Sequence, residues 1–365
     1  MKLRTYWGWY AVLLQLFLLS ILGQFPEAIE RYYSQGIYRY IDAFWRFCMG
    51  DIPFSVGDVL YTLLILKIVW SLCRWKKTTY VQKWKTIGQW SAVVLAVFQL
   101  SWGLNYHRQK LVDKWNLNPQ YTPEELVTFT RQLRDETHRI HLQITQNPKK
   151  SVRVPYGMDS LFQLAHEGYQ ALQQRHPDIN YGQLSVKKSL LSTPLAYMGF
   201  SGYFNPFTHE AQVNSLLPSY QLGNVICHEM AHQTGIASES ECNFIGFLAG
   251  YYQTNPYLRY SVCTAALRYC LGTLQATHPE LSKALYQSLH AGVKANLEES
   301  KLFWKNYDTV IHKGFHGFYD HFLKVNQQSD GMAGYSKYVG LLIGYKKKLL
   351  KHETYNNCIF ELYNL

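Results

Sequence analysis

Hydrophobic positions follow two rhythms along this chain, and the change falls near residue 106. Before it, three stretches are apolar all round: Tyr6 to Gly23, Phe54 to Cys73 and Ile87 to Asn105. Only Asp58 and Lys67 interrupt the second, and no charge interrupts the other two. Each has about the length a helix needs to cross a hydrocarbon core. Trp7, Trp9, Trp84, Trp102 and Tyr106 stand near their ends, as interfacial aromatics do. A cleaved signal peptide is the other reading of the first stretch. Against it, Pro26 and Glu27 follow with no small-residue cleavage pattern.

After Tyr106 no such stretch recurs, and polar residues return at ordinary frequency. Thr122-Pro123-Glu124-Glu125 reads as a helix start, with Thr as N-cap, Pro at N1 and Glu at N3, leading a helix to about Ile144. A second helix opens at Asp159 and runs through about Arg175. Leu184 to Asn214 is rich in Ser, Gly, aromatic and β-branched residues and predicts a few short strands, with a turn at Asn205-Pro206. From Leu217 onward the pattern is mainly helical. The predicted fold is α+β and mostly helical. A membrane region, 1–106, carries three transmembrane helices (about 6–23, 54–73 and 87–105), and a globular domain, 107–365, contains a small sheet.

Composition supports a membrane reading. Of 365 residues 47% are hydrophobic, and only 17% are charged, below the usual quarter of soluble chains. The net charge of +11 would suit nucleic acid or an anionic membrane surface. No nucleic-acid motif is present, and the densest basic run, Arg74 to Lys85, lies between two apolar stretches. Nucleic acid is therefore set aside and a lipid bilayer expected. That run holds Arg74, Lys76, Lys77, Lys83 and Lys85, against Arg31, Arg39 and Arg46 in the connection before it. The positive-inside rule then places the run and the N-terminus in the cytoplasm, and everything after Tyr106 outside the cytoplasmic membrane. Lys67 and Asp58 lie near opposite ends of the second span, so neither needs a transport role. The seven cysteines are scattered without a CxxC pair, which argues against a thiolate metal site.

Candidate chemistry sits in Val225 to Gln233, V-I-C-H-E-M-A-H-Q. In a helix His228 and His232 project from one face a turn apart, where two imidazoles can meet one tetrahedral zinc. Glu229 stands beside the first histidine, placed to serve as general base and acid. Gly235 supplies a helix stop. A chance pair of histidines on a surface helix is the bland reading, and the apolar flanks argue against it. The expected cofactor is Zn2+, one per chain.

Two carboxylates compete as third ligand. Ser238 reads as an N-cap and Glu241 as its N3 partner in a capping box, opening a helix to about Gln253. Glu239 is then its first residue, with Asn243 one turn on. Glu239 is favoured and Glu241 remains the alternative. The pair Glu239 and Asn243 resembles the glutamate-zincins, in which the Glu binds the metal and the residue four later orients the first histidine. A metzincin-type third histidine would fall at position 238, which is Ser. The segments Gly202 to Thr208, Glu210 to Asn214, His228 to Gly235 and Glu239 to Phe244 together resemble an uncharacterised bacterial membrane family. Its members carry a domain of unknown function behind N-terminal spans and are similar to gluzincin peptidases. Ser240 and Cys242 depart from that family's expected Asp and Ala. The resemblance implies a zincin-like metallopeptidase domain acting on peptide or protein.

Other candidates are weaker. Gly202 and Tyr203 would suit an edge strand that binds extended substrate. Tyr335 and Tyr338 could stabilise an oxyanion, although packing is the commoner role for any one of 29 tyrosines. His209, His312 and His316 are not expected to be ligands, and His166-Glu167 lacks a partner histidine. The function expected is a membrane-anchored zinc metallopeptidase. Its rivals are a non-catalytic zinc-containing scaffold and a zinc amidase acting on cell-wall material; a long groove beside an edge strand would favour peptides, and a closed pocket a small substrate. No motif bears on oligomeric state.

Overall fold

The computed structural model describes residues 6–73, 79–325 and 335–351. The first apolar run forms α1 (Trp7–Leu22), which stops after 16 residues. That is about 24 Å of helix, short of a hydrocarbon core of about 30 Å. The chain then bends through 98°. It continues as α2 (Pro26–Ala28), a wide π-helical stretch (Ile29–Ile37) and α3 (Tyr38–Met49). Next come α4 (Val56–Cys73) and α5 (Tyr80–Ser101).

Three spans were expected, and the structure gives fewer. Among the described residues α4 alone is long and apolar enough to cross a membrane, and α1 qualifies only together with its bent continuation. The expected third span, 87–105, is displaced: α5 takes in Lys83 and Lys85 at its start and ends at Ser101. Trp102 to Asn105 turn into the protein instead, where Trp102 is buried. Arg74, Lys76 and Lys77, which carried much of the orientation argument, lie outside the described residues.

The connection between the first two runs is a further correction. Residues 26–49 are helical and packed against the remainder of the protein, with an inverted pattern. Glu30, Ser34, Asp42 and Arg46 face inward and are buried, while Tyr32, Tyr40, Phe44 and Phe47 face outward. The inward groups are paired. Arg108 meets Glu30 at 2.7 Å, Lys114 meets Glu30 at 2.7 Å and Arg46 meets Asp42 at 2.7 Å. Arg46 and Tyr38 also donate to the carbonyl of Gln233. The packing boundary therefore does not fall at residue 106.

After a 3-10 turn (Gly103–His107) and α6 (Leu111–Lys114), α7 (Pro123–Thr145) opens with the expected capping box of Thr122 and Glu125. Then follow α8 (Met158–Arg175), β1 (Val186–Lys188), α9 (Ser192–Met198), β2 (Gly202–Phe204) and β3 (Ala211–Val213). The region expected to hold only strands thus includes a short helix. The three strands are ordered β1-β3-β2, with β1 parallel and β2 antiparallel to β3. β2 is an edge strand. The rest is helical: α10 (Ser219–Gln233), α11 (Glu239–Tyr252), α12 (Pro256–Thr277), α13 (Pro279–Gln287), α14 (Ala291–Asn306), α15 (Val310–Val325) and α16 (Tyr335–Lys351).

α10 lies between the sheet on one side and α11 and α12 on the other. α8 and α16 cover α11. Phe244, Ile245, Phe247 and Leu248 of α11 are almost wholly buried. Each such side chain contributes roughly 1.5–3 kcal/mol of transfer free energy, so α11 is held firmly against its neighbours.

Candidate metal centre

α10 carries His228 and His232, and α11 returns alongside it after a sharp stop. Gln233 ends α10, and Gly235 takes the left-handed conformation, φ +83°. Ser238 then precedes α11 without making a capping hydrogen bond, so the expected box with Glu241 is not formed. The two helices come close at Gly246, where a Cβ would lie 3.0 Å from the backbone of Cys227 and His228. That approach lets Glu239 and Asn243 reach the histidines.

His228, His232 and Glu239 bring one ligand atom each to within 4.8 Å of one another. His228 Nε2 is 3.1 Å from Glu239 Oε2, and His232 Nε2 is 3.8 Å from Glu239 Oε1. Around a tetrahedral zinc with bonds near 2.0–2.1 Å, neighbouring ligand atoms lie about 3.3 Å apart. The other ring nitrogens are already committed. His228 Nδ1 bonds Asn243 Oδ1 at 3.0 Å, and His232 Nδ1 donates to the Ile236 carbonyl at 2.9 Å. With each Nδ1 bonded to an oxygen, Nε2 is the ring atom turned toward the carboxylate in both histidines, the atom a metal would take in exchange for its proton. The donor set thus fits zinc. Cys242 Sγ, 3.2 Å from the Ile236 carbonyl, buttresses the same turn.

The local electrostatics are those of a largely buried, charged site. Burial works against a charge on His228, but the bond and charge of Glu239 outweigh it and raise the imidazole to about 9. Burial lowers His232 to about 4. Glu229 is pushed up to about 8 by burial, with Glu239 adding to the shift and His228 opposing it. One site therefore holds two histidines and two carboxylates with widely separated proton affinities.

Glu229 forms part of the wall of a cavity of about 1360 Å³. β2 passes directly over it: a Cβ on Gly202 would lie 2.8 Å from Glu229 Oε1, so only glycine fits there. Phe204, Trp102 and Phe98 line the same cavity, as do Tyr61, Leu64 and Ile65 of α4. Arg268, Tyr286 and Lys301 line it as well.

A family profile described as "Protein of unknown function (DUF3810)" matches residues 33–343. The chain belongs to that family. No curated protein and no solved structure matched the chain. The matched stretch takes in α4, α5 and the candidate metal site together.

The remaining sequence candidates separate clearly. Glu241 is turned away from the histidines: its Oε1 accepts from the Leu111 amide at 2.8 Å, and burial pushes its carboxyl up to about 7. Tyr338 is not brought to the cavity. It is fully buried behind Tyr269, ring to ring at 5.0 Å. Tyr335 opens α16, and its side chain lies outside the described residues. Tyr203 lines the cavity, but its hydroxyl donates to Asp58 Oδ1 at 2.6 Å and ties β2 to α4. Asp58 also accepts from Ser189 Oγ and the Leu190 amide, so the acidic residue of the apolar run is a structural anchor.

Sequence reasoning missed Tyr106. It lines the cavity beside Glu239, and Trp102 donates a hydrogen bond to its hydroxyl. Burial, reinforced by Glu239, raises its pKa. Its place at the end of an apolar run disguised it as an interfacial anchor. A second cluster, Asp42, His209 and Ser101, has the residue types of a hydrolase triad, with links of 3.1 Å and 2.9 Å. Ser101 Oγ, however, donates to the Pro206 carbonyl at 2.6 Å. Toward His209 it can therefore only accept, so it is not an activated nucleophile.

Proposed function

We propose that this protein is a membrane-anchored zinc metallopeptidase, with His228, His232 and Glu239 as metal ligands and Glu229 as general base and acid. The observation that carries the reading is the convergence of two Nε2 atoms and a carboxylate beside Glu229, at the wall of a cavity that runs past an edge strand. Zinc held there would supply a Lewis acid and lower the pKa of a water molecule. The chain's own residues do the rest. Asn243 and the Ile236 carbonyl hold the two imidazoles in one tautomer. Glu229 accepts a proton from the attacking water and passes it to the leaving amine. Tyr106 is the oxyanion-stabilising donor this geometry favours. β2, with Gly202 beside Glu229, supports a peptide over a compact small substrate, because its free edge can add an extended main chain.

Anchorage would come from α4, with α1 and α5 beside it, and the catalytic domain would face outward from the cytoplasmic membrane. The packing of both 26–58 and 101–108 against one body supports that arrangement, since it requires the chain to return to the same side between α4 and α5.

The test uses the full chain purified in detergent. Wild type should bind about one zinc per chain. Glu229→Gln should keep the metal and lose hydrolysis of a quenched peptide library by about a thousandfold. Equal cleavage by the two proteins would remove Glu229 from the mechanism.

A further inference from the structure

We infer that the cavity draws its substrate from the bilayer: a polypeptide cut just outside its own membrane-spanning segment. The inference rests on the peptidase reading and adds the substrate class. Three independent observations carry it.

The first is where the cavity goes. α4 is held to the sheet at its start, through Asp58 and through Glu210, which accepts from the amides of Val56 and Gly57. From Val59 onward its apolar side chains are exposed. Leu64 and Ile65 nevertheless line the same cavity as Glu229 and the histidines. Ile65 lies about 9 Å along the helix axis from Val59, well below the level at which apolar exposure begins. A cleft that served only water-soluble peptides would have no use for walls at that depth.

The second is the gap between the helices. α5 packs along α1, whereas among the described residues α4 has no extended packing with either. Phe98 of α5 and Trp102 just after it line the cavity together with Leu64 and Ile65 of α4. Further down, Lys67 Nζ lies 4.7 Å from the centre of the Trp90 ring and bridges the two helices. The result is a lateral slot between α4 and α5, apolar on both sides, with the Lys67–Trp90 contact below it.

The third is direction. β2 runs from Gly202, above Glu229, to Phe204, whose ring is 4.5 Å from that of Trp102. A chain added to the edge of β2 therefore leads from the point of cleavage to the mouth of the slot. Three extended residues cover about 10 Å, so the scissile bond should lie within roughly three to six residues of the anchored segment. The outward face of residues 26–49, with Tyr32, Tyr40, Phe44 and Phe47, gives the same body a second surface suited to the lipid interface.

The experiment reconstitutes the full chain in vesicles of phosphatidylethanolamine and phosphatidylglycerol. The probes are single-span peptides with a Leu-rich span of about 20 residues preceded by a randomised segment, and the same randomised segment without a span. Products are read by mass spectrometry. The expected result is cleavage close to the span, with the soluble probe cut at least about tenfold more slowly because remote binding is lost. Leu64→Trp, which fills the slot, should lower the ratio of anchored to soluble cleavage. Its zinc content reports whether it has folded, and the wild-type ratio stands without it. Equal cutting of both probes, abolished by Glu229→Gln, overturns the inference and leaves the peptidase. No cutting of either by zinc-loaded protein overturns both. Hydrolysis of the vesicle lipid instead overturns both in favour of a lipid substrate.

Discussion

Two histidine-centred clusters lie close together in this protein, and they differ in what their polar atoms have left to do. At His209 both ring nitrogens have partners, Asp42 at 3.1 Å and Ser101 at 2.9 Å, and the Ser101 proton is given to Pro206. At His228 and His232 one nitrogen of each ring is bonded and the other faces Glu239 across the cavity wall. The first cluster is saturated and fastens α3 and α5 to the loop after β2. The second is held firmly from behind and unfinished in front. Residue types alone do not separate a reactive cluster from a structural one. The separation comes from counting committed lone pairs and asking whether a cavity adjoins.

Substitutions can break this comparison at either end. His228→Ala should have the largest effect: stoichiometric zinc disappears, read by elemental analysis after dialysis. Full retention of zinc would sink the site. Asp42→Ala should act in the opposite sense, on the fold and not on the metal. It leaves Arg46 and His209 buried without their carboxylate, at a cost of about 3 kcal/mol. A lower midpoint in thermal unfolding with unchanged zinc stoichiometry is expected, and zinc loss without destabilisation would join the two clusters. Asn243→Ala frees the His228 ring and should weaken zinc about 10- to 100-fold in a chelator competition. Unaltered affinity would reduce Asn243 to a packing residue.

A third histidine group gives the smallest effect. His138 stacks on His290 at 3.7 Å, and His141 Nδ1 is 3.2 Å from His290 Nδ1. Burial, followed by the neighbouring charges, lowers His138 to about 4, and burial also lowers His141 and His290. The unfolded chain then binds more protons than the folded one between about pH 6.5 and pH 4. The group's contribution to stability is present above that window and is lost as pH falls through it. Thermal scans of wild type and His138→Gln at pH 7.5 and 5 check the sign: the substitution should flatten the slope.

Much of the site could be read from local spacing. The i, i+4 histidines, the Gly235 stop and the position of Glu239 at the first turn of a helix all follow from residues close in sequence. So did the capping box at Thr122. What escaped was decided by distant partners. Glu239 and Glu241 cannot be told apart locally, because Glu241 is claimed by the Leu111 amide, 130 residues earlier in the chain. The same contact removes the Ser238 box. Residues 26–49 escaped for another reason. Their polar side faces inward and their aromatic side outward, so a hydrophobic pattern read for a water-soluble helix identifies the wrong buried face. Tyr106 and Asp58 were hidden by company, each standing at the end of an apolar run.

The inward face of residues 26–49 sets a limit on how the part that carries the candidate metal site can be handled. A fragment beginning at residue 107 resembles a soluble ectodomain on paper. It would keep Arg108 and Lys114 but lose Glu30, and it would leave the Gln233 carbonyl, one residue past the second metal-binding histidine, without Tyr38 and Arg46. It would also lose the α4 and α5 walls of the cleft. Separation from residues 1–106 is therefore expected to disable the candidate metal site.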